Sequence, residues 1–153
     1  MHLAEFNISK LLAPLESPQL RDFVANVDHV NSSAEHNDGL IGRSKDDTRD
    51  PVTVISPRPN DNIYTLRVWQ SPEQLEHSGW NIVCRKINQR RQKWFRHVKS
   101  HCLVKWWVDE GSWPTVAEAK SRLGQFDANG NYDHAFGWSH LPLVQRWQTQ
   151  GCA

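Results

Sequence analysis

The chain has little of several things that usually announce a function. It holds only three cysteines, Cys84, Cys102 and Cys152, an odd and widely spaced set with no Cys-x-x-Cys pair. That spacing argues against a disulfide framework or a structural zinc site and fits a reducing cytoplasm. No apolar run approaches the ~20 residues that cross a bilayer. The start, Met1-His2-Leu3-Ala4-Glu5, lacks the basic-then-apolar order of a signal peptide. The sequence therefore predicts a cytoplasmic protein with no membrane partner. Net charge is nearly absent too: 18 basic and 17 acidic side chains leave +1, so no global field recruits nucleic acid. There is no Gly-rich phosphate loop, no deaminase signature and no Ser-His-Asp order. His97 and His101 are four apart, but a strand begins just beyond them; His29 and His36 are seven apart, and His134 and His140 fall near the end. None of these closes a metal ligand set. Asp127-Ala128-Asn129-Gly130-Asn131 faintly resembles the start of a calcium loop and reads as a turn, since the remaining ligands are missing.

What is present is tryptophan, eight in 153 residues, on elements that alternate between strand and helix. The length suits one domain, 1–153. Residues 2–8 alternate, with Ala4, Phe6 and Ile8 on one face and Glu5 and Asn7 on the other. Ser17-Pro18 opens a helix expected over 18–35, carried by Leu20, Phe23, Val24, Val27 and Val30. Leu40-Ile41-Gly42-Arg43 is strand or loop, and the β-branched run 52–55 reads as a continuation of the same edge after an insertion. A strand is expected over 63–69, then a helix from Ser71-Pro72-Glu73-Gln74. A basic, aromatic helix follows over 80–98, its apolar stripe running through Trp80, Val83, Cys84, Ile87, Trp94 and Phe95, with Arg91 on the stripe. Residues 102–108 form the next strand, Gly111 ends it, and Pro114-Thr115 opens a helix to about Phe126. From about Ala128 the chain reads as an irregular tail. Two strand-helix-strand halves make an α+β, ferredoxin-like βαββαβ sandwich.

Four ordered motifs carry a resemblance. They are Val68-Trp69-Gln70-Ser71-Pro72-Glu73-Gln74-Leu75, Arg90-Arg91-Gln92-Lys93-Trp94-Phe95, Leu103-Val104-Lys105-Trp106-Trp107-Val108, and Pro114-Thr115-Val116-Ala117-Glu118-Ala119 with Arg122-Leu123. Over residues 2–138 the chain resembles a domain-of-unknown-function family of the dimeric α/β-barrel superfamily, which includes antibiotic-biosynthesis monooxygenases and haem-degrading monooxygenases. The resemblance implies that two protomers pair sheet to sheet as a homodimeric barrel, with ligands held between helices and sheet. The chain departs from the family at Trp80 and Cys84, where a Tyr and a His are usual. It departs also at Gly42, where an aromatic is common, and at Thr65 and Arg67, where Asn and Ser are common.

Cys84 is a nucleophile if a nearby cation lowers its pKa, or a small buried hydrophobe. Arg67 and Arg91 could hold an anionic or carbonyl oxygen, or pair with local acids. Tyr64 and Asn88 could orient a phenol or enol. Trp69, Trp80, Trp94 and Trp107 could wall a flat aromatic pocket, or fill a core or dimer interface. The expected function is an enzyme on a hydrophobic, aromatic or polyketide-like small molecule, with no required cofactor and monooxygenase-, isomerase- or cyclase-like chemistry. The alternative is a non-catalytic dimer that binds a ligand or haem.

Overall fold

The computed structural model describes residues 1–10, 12, 13, 16–23, 25, 38–43, 54, 55, 62–79 and 103–141. Among the described residues, five strands form one antiparallel sheet: β1 (His2–Lys10), β2 (Leu40–Arg43), β3 (Val54–Ile55), β4 (Asn62–Trp69) and β5 (Leu103–Val108). The order is β2-β4-β1-β5, with β3 also on β4. β1 occupies one side of β4 along its whole length, so β2 and β3 must share the other: Gly42 pairs Val68 and Arg43 pairs Arg67, while Val54 pairs Tyr64 and Ile55 pairs Ile63. The edge is therefore one strand line broken by an insertion, as the β-branched run indicates. With β2 and β3 taken as one edge, the order is that of a ferredoxin-like βαββαβ sandwich.

Local chemistry explains the element starts. Helix α1 (Pro72–Gly79) begins where the Ser71 hydroxyl accepts the Gln74 N–H at 3.3 Å. Helix α2 (Val116–Asn129) begins where Thr115 Oγ1 accepts the Glu118 N–H at 3.1 Å, satisfying a donor that the first turn leaves unpaired. Gly111, with φ +81°, makes the reversal after β5, a conformation only glycine adopts without a Cβ clash. At Ser17 the backbone is extended as a cap should be, yet its hydroxyl makes no cap bond, and the first turn, Pro18–Leu20, is 3-10. Residues 21–23 and 25 are helical; the rest of the helix expected over 18–35 lies outside the described residues. So does the helix expected over 80–98.

The sheet has two unlike faces because side chains alternate along each strand. Ala4, Phe6, Leu66, Val68, Val104, Trp106 and Val108 form one face, buried against Ala119 and Phe126 of α2 and against Ala135. Arg122 of α2 bonds Glu118 at 2.9 Å and lies 5.3 Å over the Trp106 ring. The second face, with Leu3 and Trp69, packs on Leu75 of α1, Phe136 and Leu141. The barrel implied by the resemblance needs a sheet face open to a partner sheet. Among the described residues, α2 packs on one face, and α1 and the segment after α2 on the other.

Two expectations change. α2 runs three residues beyond Phe126, to Asn129, and closes at Gly130, whose N–H donates to the Phe126 carbonyl at 2.8 Å. The tail is not irregular throughout: Tyr132 and Ala135 form a tight turn, and Phe136 exchanges backbone hydrogen bonds with Lys105 at 2.8 and 2.9 Å. It extends the sheet beyond β5 and covers part of an edge that would otherwise be open. The missing side chain at Gly42 also finds an account. A Cβ there would stand 3.0–3.1 Å from the Trp113 ring, so Trp113 occupies the space a larger residue would need.

Candidate functional site

The second face carries a row of charge. Glu5 on β1 lies directly opposite Arg67 on β4 and directly opposite Lys105 on β5. Such partners have Cβ atoms about 4.5–5.5 Å apart. Above this row run Trp69, Leu3 and Trp107; below it run Thr65, Asn7 and Leu103. The period of the strands puts the row here. Val104, Trp106 and Val108 face α2, so Lys105 must face the other way. A slip of one residue would drive its ammonium into the α2 core.

Burial makes the row unusual. Glu5 is 8% exposed, Arg67 9% and Lys105 0%; such side chains are almost never fully buried unless paired. The Glu5 carboxylate accepts the Trp69 Nε1–H at 3.0 Å, which fixes one oxygen. Lys105 Nζ lies 3.7 Å from the centroid of the Trp138 ring and has no hydrogen-bond acceptor among the described residues. Burial lowers the Lys105 pKa to about 7, opposed by the attraction of Glu5. A cation–π contact of ~2 kcal/mol in a desolvated setting does not replace the hydration the ammonium has lost. Trp138 begins the 3-10 turn Trp138–His140. That turn is anchored to Asn131, which accepts the Gly137 N–H at 2.8 Å and donates to Ser139 at 2.9 Å.

Of the residues expected on the sheet, Arg67, Trp69 and Trp107 share this face. Arg67 is in the row, and Trp69 is buried beside it as the donor to Glu5. Trp107 stands at the rim, 36% exposed, its ring tilted 6.1 Å from Phe136. Tyr64 belongs to β4 opposite Ile8, with its side chain outside the described residues. Cys84, Asn88, Arg91, Trp80 and Trp94 also lie outside them. Three residues were not legible as site residues: Glu5, Lys105 and Trp138. A signal existed for two of them. Lys105 is the one polar residue of the otherwise apolar β5, Glu5 stands between Ala4 and Phe6 in β1, and antiparallel pairing sets the two opposite one another. No group of three His, Cys, Asp or Glu able to hold a metal occurs among the described residues, nor any helix long and apolar enough to cross a membrane.

Chemically, the row offers an amine that changes protonation near neutrality, a guanidinium and an oriented carboxylate. These can hold an oxyanion and move a proton.

Among solved structures, the chain is similar to the structural-genomics protein YJCS, at 12% identity over 71% of this chain and 100% of that one, with a TM-score of 0.43. It is similar also to a protein of Chloroflexus aurantiacus J-10-fl, assigned only provisionally as an antibiotic biosynthesis monooxygenase, at 19% identity over 74% of this chain and 98% of that one, TM-score 0.43. At that score the fold assignment rests on the strand order itself. No curated protein matches the chain. Residues 2–152 match the family described as a domain of unknown function, DUF3291. With the whole described sheet, helices α1 and α2 and the charged row inside that match, the chain belongs to the DUF3291 family.

Proposed function

We propose that this protein is an enzyme for a hydrophobic, aromatic or polyketide-like small molecule, working without a required cofactor in an oxygenation, isomerisation or cyclisation. The observation that supports it most is the Arg67–Glu5–Lys105 row, buried beneath aromatic side chains. A charged row in a core is costly to stability, and apolar replacement of such groups is often neutral or stabilising. A strongly shifted group such as the Lys105 amine, held in this way, is characteristic of functional sites. The reaction class comes from the family resemblance, since a fold alone does not fix chemistry.

In this reading Lys105 and Arg67 stabilise negative charge that develops on a substrate oxygen. Glu5, held by Trp69, takes or returns the substrate proton. Trp69 and Trp107 wall the ring system, and Arg91, Cys84, Asn88, Trp80 and Trp94, expected on the helix over 80–98, are proposed to complete the site.

The test is turnover of polycyclic phenols and anthrone-like ketones, followed by oxygen uptake and product mass. Glu5→Gln and Arg67→Met should each lower kcat by 10²-fold or more while the protein stays folded, in the range of lost acid–base or oxyanion groups. Unchanged turnover in both variants would remove the row from the mechanism. Native mass spectrometry of the same preparation reports whether the implied homodimer forms.

A further inference from the structure

The Lys105 amine is in a position that a folded chain rarely leaves as it is. It is wholly buried, it has no hydrogen-bond acceptor among the described residues, and an aromatic ring lies across it. The one carboxylate opposite, Glu5, directs its bonded oxygen to Trp69 rather than to Lys105. Buried polar groups are almost always satisfied, and an exception calls for a physical reason. A missing acceptor is the simplest.

We infer that this site binds an aromatic monoanion, a flat ring bearing one carboxylate, phenolate or enolate oxygen, and that this oxygen sits on Lys105 Nζ in the place now taken by the Trp138 ring. The inference rests on the proposed small-molecule site and names the charge state of what it takes. Three features select the class. An acceptor of negative charge satisfies the amine and adds to the attraction of Glu5, which opposes burial without overcoming it. Trp69, Phe136, Trp107 and Trp138 gather on this face, and such rings prefer a flat apolar partner. Glu5, directly opposite Lys105, repels a second negative charge, which disfavours phosphates and dicarboxylates. A metal cation is disfavoured by Lys105 and Arg67 together.

The way in is Trp138. It is only partly buried, and it belongs to a three-residue turn at the protein surface whose neighbours Ser139 and His140 are exposed. Moving that ring uncovers Nζ without disturbing a strand.

Binding an anion to a largely neutral amine must pull a proton onto it, and that is the readout. Among the described residues, the charged and titratable groups on the elements around Lys105 are Glu5 on β1, Arg67 on β4, and His140 with its ion-pair partner Asp133 on the covering segment. Measurement at pH 8.5 keeps ordinary histidines neutral throughout. The probes are 2-naphthoate and its neutral isostere 2-naphthamide, titrated calorimetrically into the full chain in two buffers of different ionisation enthalpy. The expected result is naphthoate binding about tenfold or more tighter than naphthamide, the size of one charge-assisted hydrogen bond. Uptake should approach one proton per site, since the free amine titrates at about 7. Lys105→Met should abolish both the preference and the uptake. Trp138→Ala should keep the uptake and speed association. The wild-type proton count stands alone if a variant fails to fold. Equal binding of both probes with no proton uptake would overturn the inference and leave the aromatic site in place. Binding of neither probe would overturn it too, and turnover of the phenol panel would then decide the enzyme reading separately.

Discussion

The two faces of one sheet are built from the same three strands, β4, β1 and β5, and bury their side chains to opposite ends. The face under α2 is apolar across its middle, with Ala4, Phe6, Leu66, Val68, Val104 and Trp106 each 2% exposed or less. The opposite face is buried almost as well, yet it carries Glu5, Arg67 and Lys105 across its middle. Nothing in the backbone differs between them, since alternate residues of the same strands supply both. The comparison teaches that one face stabilises the fold while the other gives up stability to hold charge away from water. A protein selected only to fold gains little by keeping that row.

The comparison can be broken at either face. The largest effect is expected on the apolar side. Phe6→Ala should lower unfolding free energy by about 3–5 kcal/mol, read by urea denaturation, with little change in ligand binding. On the charged side the sign should reverse. Lys105→Met is expected to raise stability at pH 6–7 by roughly 1–4 kcal/mol, as when a buried ion gives way to a well-packed apolar residue, and to lose ligand binding.

The same contrast gives a pH signature. The Lys105 pKa is lowered from 10.5 to about 7 on folding, so between those values the unfolded chain binds more protons than the folded one. Stability contributed by this group therefore rises with pH from about 7 to 10.5, by at most ~1.4 kcal/mol per unit. Below about 7 both states are protonated and the cost of burying the ammonium is present in full. Denaturation at pH 6, 8 and 9.5 should show this slope in the wild type and its loss in Lys105→Met; equal slopes would place the charge of Lys105 elsewhere. The smallest effect sharpens the apolar side. Thr115→Ala removes the cap of α2 and should cost ~1 kcal/mol with no pH dependence of its own.

Much of the fold was legible because its signals are local. Alternation marks β1, and a strand-like run and an apolar run mark β4 and β5; Ser71 and Thr115 mark helix starts by their hydroxyls; Gly111 marks a reversal; and the β-branched Val54-Ile55 marks the resumed edge. The tail was not legible, because what orders it is distant. Ala135, Phe136, Trp138 and Leu141 follow neither a helical nor a strand period, and their partners are the edge of β5 and the second sheet face. Ser17 shows the limit of a local rule, having cap geometry without a cap bond. In the site, Arg67 and Trp69 were legible as a cation and an aromatic on one strand. Glu5 and Lys105 were not, because a charged residue in a strand reads as solvent-facing until the register and the covering segment are known.

The most direct measurement is an NMR titration of the Lys105 side chain, its Cε and Nζ signals assigned by their absence in Lys105→Met. A buried, unsatisfied amine in the charged row titrates with a midpoint near 7, far below that of an ordinary lysine. A midpoint near 10.5 would show an amine in water or firmly paired, and the row would then be no site at all.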